Sequence, residues 1–262
     1  MNSTTINETG QGGLRNRVSS AIQLASARTG VDFSYLFAQA RIESGLNPNA
    51  RARTSSATGL FQFIEQTWLG TVKQHGADHG LGWAAQAIRR GPDGRYRVAD
   101  PAMRRAILDL RRQPEAAAAM AGAFASDNRN YLENRLGRSA EPVDLYLAHF
   151  LGPAGAAGFL RAFDANPNRA AASVVPAAAR ANRWVFYNRD GSPRSLAQIR
   201  ERFAARIGGG GTNGPATSPS VNPLLGAPVR TASRFVEPEA RVAGPSPQYA
   251  RLAYLMLAQL GG

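Results

Sequence analysis

Residues 41–68 read RIESGLNPNARARTSSATGLFQFIEQTW. Just upstream, Asp32 precedes Phe33, Leu36, Phe37 and Ala40, an apolar set at helical spacing behind a capping residue. The helix this predicts runs into Glu43 and stops near Gly45, with Pro48 close behind. The Asn, Pro and Ser content of NPNARARTSSAT makes it a loop, and helical periodicity resumes from Ile64 to Gln74. One carboxylate therefore stands at a helix end, beside the apolar face, followed by the small residues Ser44 and Gly45. A helix C-terminus is the negative end of the macrodipole, which disfavours a carboxylate there. That field, with burial, raises the pKa of Glu43, as a general acid working near neutral pH requires.

The same periodicity extends in both directions. Leu14, Val18, Ile22 and Ala25 mark a helix over Leu14 to Arg28 that ends at Gly30. Further helices are expected over Pro101 to Arg112, Pro114 to Leu136, PVDLYLAHFLG and SLAQIRERFAARI, with short ones between the last two. Residues 76–101 read as irregular, with a turn at GPDG. Strand signals are nearly absent, so the fold class is all-α. Four segments follow: a disordered 1–12, a helical domain over 13–207, a Gly/Pro/Ser-rich linker over 208–246, and a short amphipathic helix over 247–262 with Leu252, Leu255, Leu257 and Leu260.

The chain of 262 residues is 44% hydrophobic, enough for a core, yet no apolar run reaches the length of a membrane span. It has no cysteine, so disulfides and thiolate metal sites are excluded, and no cofactor is expected. The formal net charge is +13, and of the 31 basic residues only Lys73 is lysine. Such a surface attracts polyanions. Its arginines are scattered rather than striped and no nucleic-acid motif is present, so no nucleic-acid partner is expected. His75 and His79 lie four apart across a glycine with no further ligand nearby, which argues against a metal site.

Glu43-Ser44 and the later Gly59-Leu60-Phe61-Gln62 resemble the paired motifs of the SLT-type lytic transglycosylases, relatives of goose-type lysozyme. The resemblance spans Leu14 to about Ile207 and implies a lysozyme-like catalytic domain that cuts peptidoglycan glycan strands. It implies Glu43 as the catalytic acid and then base, with Ser44, Phe61 and Gln62 at the substrate. The family's third element, Ala-Tyr-Asn-Ala-Gly, has its counterpart in LYLAHFLGPAGA, which puts His149 at the tyrosine position and Tyr146 one turn earlier. Either of the two is expected to contact Glu43 or substrate. The implied product is a 1,6-anhydro sugar; a hydrolytic muramidase using Glu65, or an inactive wall-binding assembly factor, are the alternatives. The opening residues carry no charged-then-apolar export signal. The expectation is therefore action in the periplasm after specialised export, with the C-terminal helix docking to a secretion or flagellar-type machine.

Overall fold

The computed structural model describes residues 5–53 and 55–208. Residues 1–4 and 209–262 lie outside them, and with 209–262 the helix expected over 247–262 and the linker expected over 208–246, save that Gly208 ends the last described helix. Twelve helices follow in order among the described residues: α1 Thr5–Thr29, α2 Phe33–Ser44, α3 Glu65–His75, α4 Gly82–Ala87, α5 Pro101–Asp109, α6 Pro114–Leu136, α7 Pro142–Leu151, α8 Pro153–Ala165, α9 Ala171–Val174, α10 Pro176–Ala181, α11 Arg183–Phe186 and α12 Leu196–Gly208. The all-α, lysozyme-like class holds. One antiparallel hairpin interrupts it, β1 Ile88–Arg90 with β2 Tyr96–Val98.

Two sequence expectations change. Helix α1 begins at Thr5, so residues 5–12 are helical rather than a disordered tail; once a packed segment is nucleated, helix extends upstream at little cost. The stretch 76–101, expected as irregular, contains α4 and the hairpin. A side chain organises that hairpin. The Gln66 amide donates to the Tyr96 carbonyl at 3.0 Å and accepts from the Tyr96 N–H at 2.9 Å, acting as an extra rung on β2. A lone amide serving as a strand partner leaves no trace in hydrophobic periodicity.

The long helices α1 and α6 pack together, and α6 also carries α3, α7 and α8. Trp68 of α3 is fully buried in this core and its indole N–H donates to the Ile107 carbonyl at 2.8 Å. Burying so large a side chain contributes about 2–3 kcal/mol, provided the N–H finds a partner. Helix α12 returns from the far end of the chain to lie on α2 and α7. Those three helices frame Glu43.

Candidate active site

The Asp32 side chain accepts from the Tyr35 N–H, and Gly45 at φ 63° closes α2. Between these caps, Tyr35, Gln39 and Glu43 fall at i, i+4 and i+8, one above the other on a single face. All three are buried, and Glu43 is only 1% exposed. Opposite them stands α7. A reciprocal capping box between Glu141 and Asp144 starts it, and Arg138 and Arg200 hold the fully buried Asp144 carboxylate. One turn on, α7 presents Tyr146 and His149, both buried.

His149 Nε2 lies 3.2 Å from Glu43 Oε1, and its Nδ1 lies 3.3 Å from the Gln39 amide nitrogen. The contact with Glu43 is at ion-pair distance, while Glu43 Oε2 has no hydrogen-bond partner among the described residues. Gln39 Oε1 is also unpartnered. A half-turn of that amide would bring Oε1 onto Nδ1, so the triad accommodates a proton on either imidazole nitrogen. Glu43 is thus a fully buried carboxyl. Burial raises its pKa; His149, and then the charge of Arg206 from α12, pull it part of the way back. Tyr146 is raised by burial and by the charge of Glu43, and Tyr35 by burial and by Tyr146 and Glu43. Both phenols therefore keep their protons at every working pH.

The remaining motif residues are committed to backbone. The Ser44 hydroxyl sits 3.0 Å from the Ala40 carbonyl oxygen and donates to that of Leu60 at 2.8 Å. It therefore ties the end of α2 to the Gly59–Gln62 turn. Gln62, with φ 46°, donates its amide to Gly59 O at 2.8 Å and Ala50 O at 3.2 Å. Gly59 has φ 85°, and a Cβ there would overlap the Arg111 carbonyl oxygen. Arg111 is itself buried and donates to the carbonyls of Ser56, Phe63 and Leu108 at 2.7–2.9 Å. Burial lowers its pKa to about 10, so it remains charged at neutral pH.

Of the residues expected from sequence, the structure brings together Glu43, His149 and Tyr146. Ser44 and Gln62 serve the loop beside them in this conformation. Phe61 is buried and lines a small cavity with Tyr35, Gln39 and His149. Glu65, the second carboxylate of the hydrolytic alternative, is held in both oxygens by Arg104 at 2.6 Å. Asp127 pairs with His75 at 2.7 Å. Sequence reasoning missed Tyr35, Gln39, Arg111 and Arg206. A signal existed for the first two, since they precede Glu43 by eight and four residues on its own helix face. Arg111 and Arg206 arrive by tertiary packing and had none. Among the described residues no group of three His, Asp or Glu side chains could hold a metal ion.

Residues 20–88 match the family model of the transglycosylase SLT domain. The matched span contains α2, Glu43-Ser44 and the whole Gly59–Gln62 turn, while α7 and α12, which complete the enclosure, lie beyond it. The segment bearing the buried carboxyl is thus similar to the transglycosylase SLT domain, a family of lytic transglycosylases acting on peptidoglycan.

Proposed function

We propose that this chain is a peptidoglycan lytic transglycosylase with Glu43 as its only acid–base group. One observation carries the reading: a lone, fully enclosed carboxyl with a raised pKa faces His149 at the helix end that the family match covers. Protonated Glu43 would give its proton to the oxygen bridging N-acetylmuramic acid and N-acetylglucosamine. As a carboxylate it would then take the proton from the muramic 6-hydroxyl as that oxygen closes on C1 of the same sugar. The nucleophile is intramolecular, so its effective concentration is high and no water is activated. The acetamido group of that sugar can meet the oxocarbenium charge, a recognised alternative to a second carboxylate.

The carboxylate census supports this chemistry over hydrolysis. Glu65, Asp127 and Asp144 are each engaged by Arg or His, and the charged groups that bear on Glu43 are His149 and Arg206. Because the Glu43 side chain has no exposed surface, the glycosidic oxygen reaches it only after the packing around it parts. The substrate places the activity in the periplasm. No helix among the described residues is long and apolar enough to cross a membrane.

The test is a digest of purified peptidoglycan by the intact protein and by Glu43→Gln, read by mass spectrometry. Anhydro-muropeptides from the first, and a loss of at least ~10²-fold in the second, are expected. Reducing-end products would overturn the lyase reading. Absence of any product, with wall binding retained, would overturn the enzyme.

A further inference from the structure

On the side of α2 away from Glu43 the protein carries an open apolar groove of about 580 Å³. Phe33 and Phe37 of α2 form one wall, Val143 of α7 another, and Ala204 and Ile207 of α12 a third. At 100° per residue, Phe33 and Phe37 lie on the face of α2 roughly opposite Tyr35, Gln39 and Glu43. Sequence periodicity assigned these two aromatics to the core. Phe37 packs against the core and its ring stacks on that of Phe33 at 5.6 Å, but Phe33 remains 37% exposed. An open aromatic pair in a groove framed by three helices is the shape that takes an amphipathic helix.

The described chain ends at this groove, because Gly208 is one of its lining residues. Residues 209–246 follow, rich in Gly, Pro and Ser, and then PQYARLAYLMLAQLGG over 247–262. In helical register Tyr249, Ala253, Met256, Leu257 and Leu260 share one face, while Gln248, Arg251 and Gln259 fall on the other together with Leu252 and Leu255. We propose that the segment Pro247–Leu260 of this same chain docks as a short helix in the groove between α2, α7 and α12. Reach is no obstacle: a Gly/Ser-rich chain of that length spans roughly 35 Å on average, and its origin is the groove itself. A tethered segment faces the groove at an effective concentration on the order of millimolar, well above that of a free partner or a second copy. The docked tail would leave the opposite, catalytic face of α2 uncovered, so docking and catalysis are separable.

The absence of native cysteine makes the test direct. Full-length chain carrying Ala204→Cys and Leu257→Cys is oxidised mildly and analysed by non-reducing electrophoresis and mass spectrometry. Ser34→Cys, at the exposed rim of the groove, replaces Ala204→Cys should that variant fail to fold. The reference pair is Arg161→Cys with Leu257→Cys, since Arg161 is exposed on α8 and does not line the groove. The groove pair is expected to close within one chain at least ~10-fold faster than the reference, independently of protein concentration. Adding Met256→Asp should bring it down to the reference rate. Equal rates for the two pairs would overturn the proposal, leaving a tail free for another partner. Crosslinked dimers whose formation scales with concentration would overturn it in favour of a second copy.

Discussion

Replacing Glu43 by Gln should make the protein more stable at neutral and alkaline pH, by an amount that grows with pH. Burial raises the Glu43 pKa in the folded state above its unfolded value, even after His149 and Arg206 draw it back. Between those two values the folded state holds a proton that the unfolded state has released. Stability is therefore complete below the ordinary carboxylate range and falls as pH rises toward the folded pKa. The slope in that window approaches about 1.4 kcal/mol per pH unit. Glutamine has nearly the same shape and no charge to desolvate, so the variant escapes this loss. For a domain of this size the midpoint gap between the two proteins should widen by about 3–6 °C per pH unit within the window. A pH-independent offset of about 1–3 kcal/mol is expected if the new amide leaves an N–H unpaired, so the slope is the observable. The assay is urea or thermal denaturation of both proteins from pH 4 to 9, in which titrating groups not in contact with Glu43 cancel in the difference. A flat difference would refute the reasoning. So would a wild type that gains on the variant as pH rises, which is how a carboxylate held below its ordinary pKa by His149 would behave.

Three further outcomes are expected. In His149→Phe the group that lowers the Glu43 pKa is gone, so the alkaline limb of the pH–rate profile should move up in pH while kcat falls about tenfold, ~1.4 kcal/mol; an unmoved limb would mean His149 does not act on Glu43. Gly59→Ala should cost about 3 kcal/mol or more in a denaturant titration, since φ 85° is unfavourable for alanine and its Cβ meets the Arg111 carbonyl oxygen. Arg111→Met should cost about 2–4 kcal/mol by stripping donors from three carbonyls, and amide exchange over residues 56–63 should accelerate more than over α6; uniform acceleration would count against a local clamp.

The helices were legible because their ends carry local chemistry. Asp32 and Gly45 bound α2, Pro114 and Gly137 bound α6, and each sits where capping or backbone preference puts it. Glu43 was legible for a related reason, as a lone carboxylate on an apolar flank. What was not legible depends on contacts between distant positions. Gln66 as a rung for β2, Arg111 under the motif turn and Arg206 near Glu43 span 30 residues or more of chain. Phe33, on the same apolar face as Phe37, shows the converse failure. Their spacing reports an apolar face but not which of two faces the core uses, and α2 has apolar surface on both.

The paired motif looks different once its hydrogen bonds are drawn. Glu43 is the member whose side chain faces His149; the Ser44 hydroxyl and the Gln62 amide N–H groups go to carbonyls at Leu60, Gly59 and Ala50. Ser44 therefore explains why the two halves of the motif occur together, since its hydroxyl bridges the residue after the acid to the turn sixteen residues on. The turn in turn requires positive φ at Gly59 and Gln62 and at Leu46 just past the helix. Two of these three are not glycine, and each such residue costs on the order of 1 kcal/mol. Strain of that size persists only where surrounding bonds outweigh it, and here they are the Gln62 amide bonds and the Arg111 clamp. The motif thus builds a rigid, strained shelf against the end of α2, while α7 and α12 supply the His149 and Arg206 charges that tune its one carboxyl.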